Sequence, residues 1–282
     1  MSGVDPEPGS GPSSASSAPE SEAIWRGILL GTDPRYRRNY RLMRRLPGAP
    51  RCYFCSAPFG GIGSPVARFM GRRPWAKNPR YCATCFSLLE HQHGGAEIEC
   101  SLMFADVRGS TALAEHMRAG DFQRLMGRFY DTAARVLYAH DAILDKFVGD
   151  EAVAIFIPAL SGDLHAARAV MAGRALLRAT GHADAAGPWL PIGVGVHTGI
   201  AFVGAVGESP ATTVTALGDV VNVAARLASA AGPGELLVTE SAIRRAKVGA
   251  DAAERRHLEL KGRTEPVPVV VLGADSTEPA SA

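Results

Sequence analysis

The chain has 282 residues, 46% hydrophobic and 21% charged, which suits one ordinary domain plus something smaller. No apolar run approaches the roughly 20 residues of a membrane span, and the start, with Asp5 and Glu7, lacks the basic-then-apolar order of a signal segment. A soluble, cytoplasmic protein with no membrane partner is expected.

The formal net charge of +2 hides an asymmetry: Arg35 to Leu89 holds twelve Lys or Arg and no Asp or Glu, so all 28 acidic residues lie elsewhere. Such a surface suits nucleic acid, anionic lipid, or an acidic unit of the same molecule. No nucleic-acid motif stands beside it, so the intramolecular contact is expected and a nucleic-acid partner is not.

Taken in order, residues 1–22 are rich in Ser, Pro, Gly and Ala. They bury too little apolar surface to offset ordering, and a disordered tail is expected. Residues 23–48 read as a helical segment. Its first helix runs from Glu22 to Leu30 and closes at Gly31. Its second starts at Asp33-Pro34, an N-cap followed by proline at the first helical position. Tyr36, Tyr40 and Met43 share one face, arginines fill the rest, and Pro47-Gly48-Ala49-Pro50 ends it. A packing helix is the plainer reading and a partner-binding helix the alternative.

Residues 49–95 carry Cys52-x-x-Cys55 and Cys82-x-x-Cys85, separated by a loop-like stretch rich in Gly, Pro and Arg. Four thiolates match the demand of tetrahedral Zn²⁺, although the spacing exceeds the common 15–20 residues or so. A structural zinc site is expected. A single redox-active pair would leave the second pair unexplained, and His91 or His93 is a substitute ligand. Cys100 reads as a buried core thiol.

Gly94-Gly95 reads as a boundary, and regular α/β patterning follows over 96–275, with a short tail at 276–282. Ser101 to Thr111 reads as a buried strand ending in a carboxylate, Asp106, after which Gly109 allows a tight turn and Ser110 or Thr111 caps a helix. A strand, a carboxylate and a helix start can hold a cation and a phosphate; the bland alternative is a capping Asp. Phe122 to Leu137 repeats at helical spacing. Ala142–Phe147 and Glu151–Ile157 read as strands around Val148-Gly149-Asp150, and Asp163–Ala179 as a helix. Pro191–His197 and Ala201–Val206 read as a hairpin around Thr198-Gly199. Gly218–Ala231 reads as a helix, Glu235–Thr239 as a strand and Glu240–Lys247 as a helix, before strands Leu258–Leu260 and Val267–Leu272. The expected class is α/β (α+β), with helices on one face of a largely antiparallel, ferredoxin-like sheet.

Asp150, in the second hairpin, brings a second carboxylate toward Asp106, a pairing that suits Mg²⁺. Lys146 lies four residues earlier. Asn222 and Arg226 are i, i+4 on one helix and share a face, which fits a ribose oxygen and a phosphate. Each has a bland counterpart: a solvated charge, a cap, a surface ion pair.

Five blocks in order resemble the class III adenylate/guanylate cyclase catalytic domains. They are Phe104-Ala-Asp-Val-Arg-Gly-Ser-Thr111, Lys146-Phe-Val-Gly-Asp-Glu151, Gly193-Val-Gly-Val-His-Thr-Gly199, Ala216-Leu-Gly-Asp-Val-Val-Asn-Val-Ala-Ala-Arg226 and Leu260-Lys-Gly-Arg-Thr-Glu-Pro266. They span about Ala96 to Leu272. The layout is similar to bacterial soluble cyclases with a cysteine-rich, zinc-ribbon-like front end. The resemblance implies that Asp106 and Asp150 bind two Mg²⁺ or Mn²⁺ ions, with the Val107 backbone beside them. It implies that Gly109, Ser110 and Thr111 receive the triphosphate. Lys146 and Thr215 match the purine-selecting pair, where many adenylate cyclases have Asp in place of Thr215. Asn222 matches the ribose-orienting residue and Arg226 the transition-state arginine, with Lys261 or Arg263 as a further phosphate contact. In that family the two sets of residues meet across a dimer, so a homodimer is implied. ATP is the implied substrate. A guanylate cyclase and a catalytically silent regulatory module are the alternatives.

Overall fold

A computed structural model describes residues 18–76, 78–91, 94–207, 212–250, 252–261 and 263–275. The expected terminal tails and His93 lie largely or wholly outside them. The N-terminal part begins with α1 (Ala18–Leu29), which buries Trp25, Ile28 and Leu29. In α2 (Pro34–Arg45) the Asp33 carboxylate accepts from the amides of Arg35 at 2.8 Å and Tyr36 at 3.2 Å, as the N-cap reading predicts. Tyr40 and Met43 are buried, so α2 packs.

The cysteine segment is more structured than its composition suggests. It contains α3 (Ser64–Phe69), a two-stranded ribbon of β1 (Pro74–Trp75) and β2 (Asn78–Cys82), and α4 (Ala83–His91). Phe86 stacks on Trp75 at 5.6 Å between ring centres, giving these short elements an apolar centre.

The larger part runs β3 (Gly94–Val107), α5 (Ser110–His116), α6 (Ala119–Ala139), β4 (Ile143–Val148), β5 (Glu151–Phe156), α7 (Pro158–Ser161) and α8 (His165–Ala179). It continues β6 (Ile192–Val206), β7 (Thr213–Leu217), α9 (Asp219–Ala230), β8 (Leu236–Thr239), α10 (Glu240–Ala246), β9 (Glu254–Leu258) and β10 (Val267–Leu272). The sheet order is β4-β5-β3-β6-β8-β10-β9, with β7 paired to the far half of β6; among the described residues only β6 and β8 run parallel. Gly94 and Gly95, expected as a boundary, are the first residues of β3.

Two expectations are corrected. Thr198-Gly199 is not a turn: β6 is one 15-residue strand paired with β3 along its length. Its glycines serve packing instead. A Cβ on Gly195 would fall 2.4 Å from the Ala228 amide nitrogen, and one on Gly199 would fall 3.3 Å from Val220, so α9 lies directly on the strand. Helices also cover both faces. Side chains alternate along β3, so that Ile98, Cys100, Leu102 and Phe104 join α1, the cysteine segment and α9. Met103, Ala105 and Val107 join α6, α8 and α10. Among the described residues no helix is long and apolar enough to cross a membrane.

Candidate active site

Asp106 leaves the sheet at the end of β3, paired in register with Glu151 on β5 and Gly193 on β6. The β4–β5 turn stands beside it, and the Val107 amide donates to the Asp150 carbonyl at 3.3 Å. Burial raises the affinity of the Asp106 carboxyl for its proton, Arg108 opposes this, and Asp150 adds to it. Glu151 is pushed up likewise by burial and by Asp106 and Asp150. Clustered carboxylates that disfavour one another's charge suit a divalent cation. Asp106 and Asp150 thus stand at one sheet end as oxygen donors that a divalent cation could use.

Arg108, which the sequence reading did not single out, pairs with the Asp106 carboxylate. It also donates to the Ser229 carbonyl at 2.9 Å and the Ala231 carbonyl at 3.3 Å, so it ties the end of α9 to the end of β3. Gly109 takes the left-handed conformation, with φ 70°, at the start of α5. Ser110 and Thr111 do not cap that helix as expected; they are its first residues, because Gly109 itself occupies the cap position. Ser110, Thr111, Tyr130, Gly149 and Asp150 line a cavity of about 500 Å³. A larger one, about 1310 Å³, opens between α6 and the Gly48–Arg51 turn, but it holds none of the expected residues and volume alone does not make a site.

The expected purine pair meets in space. Lys146 Nζ donates to Thr215 Oγ1 at 3.2 Å although the two are 69 residues apart. β7, paired to the far half of β6, thus meets β4 through this contact. Thr215 is buried and in turn donates to Asp145 Oδ2 at 2.8 Å; Asp145 lies 3.4 Å from Lys146. Asp145 was missed because nothing in the sequence marks it apart from its neighbour.

Asn222 and Arg226 share the outer side of α9, Asn222 exposed and Arg226 half-buried. Neither has a hydrogen-bond or ion-pair partner among the described residues. Of the two C-terminal candidates, Arg263 is tied to the first turn of α9 by an ion pair with Asp219 at 3.1 Å, whereas Lys261 is exposed.

The four cysteines of the pairs come together as expected. Their sulfurs all lie within 4.8 Å of one another, all are buried and none is disulfide-bonded. The Cys55–Cys82 sulfur separation is 3.7 Å. A tetrahedral site with metal–sulfur bonds of about 2.3 Å has edges of about 3.8 Å, so the donor set fits Zn²⁺. Hydrogen bonding with the neighbouring thiols, and then burial, push Cys55 and Cys85 up, and Arg72 stands 3.8 Å from the sulfurs of Cys82 and Cys85. Cys100 is buried in the core, where burial pushes its thiol up to about 12.

Ser101, His165 and Glu99 form a chain of 2.9 and 3.2 Å contacts that has the order of a nucleophile, base and acid. Ser101 and His165 are wholly buried, and Ser101 also bonds Thr198 at 2.7 Å. With no access for a substrate, the cluster ties β3, β6 and α8 together.

The model of the adenylate and guanylate cyclase catalytic domain matches residues 95–273. The chain belongs to that family. Relatives of this chain include an adenylate cyclase of Rhizobium meliloti (strain 1021), 32% identical over 134 residues, covering 46% of this chain and 20% of that protein. An uncharacterised protein of Mycobacterium tuberculosis (strain ATCC 25618 / H37Rv) is 29% identical over 188 residues, covering 64% and 34%. The chain spans about a third of the length of the curated relatives it matches. Among solved structures, the adenylyl cyclase CyaB from P. aeruginosa superposes with a TM-score of 0.55 at 28% identity, over 64% of this chain and 96% of that one. The guanylyl cyclase Cya2 superposes with a TM-score of 0.58 at 24% identity, over 63% and 93%, a likeness of fold.

Proposed function

We propose that this cyclase converts ATP to 3′,5′-cyclic AMP and pyrophosphate, as a cytoplasmic homodimer that contributes to signalling. The contact of Lys146 with Thr215 carries the choice of ATP. An ammonium donates to adenine N1, and a threonine oxygen accepts from the 6-amino group. Guanine presents an N1–H and an N2 amine, which call for an acceptor that Lys146 is not.

Asp106 and Asp150, with the Val107 backbone, hold two Mg²⁺ or Mn²⁺ ions. Bound there, the ions supply a lowered pKa for the ribose 3′-hydroxyl and charge neutralisation of the pyrophosphate. Gly109, Ser110 and Thr111 receive the triphosphate, and Arg263, beside α9, adds a cation to it. Asn222 orients the ribose so that the 3′-oxygen lies in line with the α-phosphorus. A bond forms from the 3′-oxygen to that phosphorus, the hydroxyl proton passes to water, and the bond from the α-phosphorus to the bridging oxygen breaks, with pyrophosphate leaving. Arg226 stabilises the charge that grows on the phosphoryl oxygens. That it has no hydrogen-bond or ion-pair partner among the described residues supports this use. Metal and purine residues come from opposite subunits, giving two equivalent sites. Cys52, Cys55, Cys82 and Cys85 hold a structural Zn²⁺.

Purified protein assayed with ATP and with GTP, in Mg²⁺ or Mn²⁺, tests this reading. Faster cyclic AMP formation is expected, by at least about tenfold for a mismatched buried polar contact. Faster cyclic GMP formation, or no turnover with either metal, contradicts it.

A further inference from the structure

The residue before the purine-contacting lysine has no part in the reading above, yet it is the most deeply placed acid near the base pocket. Asp145 is 4% exposed on its side chain. It sits where the register of β4 against β5 shifts between Leu144 and Lys146. That irregularity lets two successive side chains serve one side of the strand, which a regular strand forbids. Asp145 Oδ2 accepts a hydrogen bond from the Thr215 hydroxyl at 2.8 Å, and the same oxygen lies 3.4 Å from Lys146 Nζ. Its other oxygen, Oδ1, is buried with no hydrogen-bond partner among the described residues. Such an oxygen costs stability. Lys146 and Arg80 oppose the effect of burial on this carboxyl, and Tyr81 is a further titratable group facing it.

The hydrogen-bond count at Thr215 then decides what the hydroxyl can do. A hydroxyl has one proton and two lone pairs. The proton goes to Asp145 and one lone pair receives Lys146. What remains for a base is one lone pair, an acceptor and never a donor. We propose that Asp145 is a positioning residue for purine choice: it fixes the polarity of Thr215 so that the site accepts the 6-amino group of adenine and repels the 6-oxygen of guanine. This rests on the reading of the chain as an adenylate cyclase and goes beyond it, because Thr215 without Asp145 can rotate its proton outward and donate to that oxygen.

The test measures kcat/KM and equilibrium affinity for ATP and GTP in the full chain. Wild type is compared with Asp145→Ala, Asp145→Asn, Thr215→Val and the Asp145→Ala/Thr215→Val double variant. Asp145→Ala is expected to lower the ATP-over-GTP ratio about tenfold, mainly through KM and affinity. Asp145→Asn still offers an amide oxygen to the hydroxyl and keeps most of the ratio. The double variant discriminates no worse than Thr215→Val, because with the hydroxyl gone Asp145 has nothing to orient. Should the alanine variant not fold, Asp145→Ser, whose hydroxyl can itself donate to Thr215, carries the same expectation. A wild type that favours ATP with an unchanged ratio in Asp145→Ala, or effects that simply add in the double variant, overturns this inference alone. A wild type that favours GTP or binds neither nucleotide overturns the adenylate reading and this inference with it.

Discussion

His197, in the third of the signature blocks, shows how burial sets the acid response of this fold. Burial and the nearby Arg263 lower its pKa to about 4, while Asp219 opposes them. Its Nδ1 lies 2.9 Å from the Thr239 hydroxyl, which also caps α10 by accepting from Ala242. The unfolded chain binds the proton near pH 6.5, whereas the folded one resists it down to about 4. Stability from this residue is therefore complete above about pH 6.5 and lost as pH falls toward 4. His165 shifts in the same direction. Urea unfolding at pH 7 and pH 5 is expected to show a loss of roughly 2 kcal/mol from His197, and His197→Gln should flatten that slope. At this scale the sequence was most legible where a residue type is tied to its role by family blocks. The blocks singled out Asp106, Asp150, Lys146 and Thr215; in the fold Lys146 reaches Thr215, and Asp150 stands beside the end of the Asp106 strand. Asp145 and Arg108 were not legible, because a register shift and a reach across to α9 leave no trace in the order of residues.

At the scale of elements, periodicity found α2, α6 and α9 and missed β7, α3 and α4. Thr213 to Leu217 is a short apolar run just before Gly218, and nothing in its pattern says that it will hang on the far half of β6. The glycines of β6 misled for a physical reason: glycine marks a turn and a close helix contact equally well, and only packing against α9 distinguishes them. The cysteine segment acquires its role at this scale. Tyr81, next to Cys82 on β2, shares a hydrogen bond with the Thr213 hydroxyl at 2.8 Å and accepts from the Val214 amide at 3.0 Å. The strand that carries Thr215 is thus held by a residue adjacent to a zinc-type ligand. Tyr81→Phe is expected to cost about 1 kcal/mol, and to speed amide exchange over 213–217. Stripping the metal with a chelator should produce the same local exchange change, measured by mass spectrometry alongside zinc content. Unchanged exchange in both would show that the two units are not coupled through this contact.

At the scale of the molecule, the basic stretch partly finds an acidic neighbour within the chain. Arg44 pairs with the buried Asp141 at the end of α6. Arg51 turns inward to the carbonyls of Leu46 and Ser56 at 2.6 and 2.8 Å. One buried cluster runs from Trp25 through the cysteines to β3, β6 and α9, so the N-terminal unit is packed on the sheet. The composite site is the claim on which the functional account rests. Each chain carries both the aspartate pair and the Asn222–Arg226 pair, so two different inactive chains should rebuild one complete site in a mixed dimer. Asp106→Ala and Arg226→Ala are to be purified separately, mixed, and assayed for cyclic AMP formation. The account predicts that each alone is inactive and that the equilibrated mixture recovers about a quarter of wild-type activity, since half the dimers are mixed and each holds one intact site. No recovery from a mixture shown to exchange subunits would contradict it.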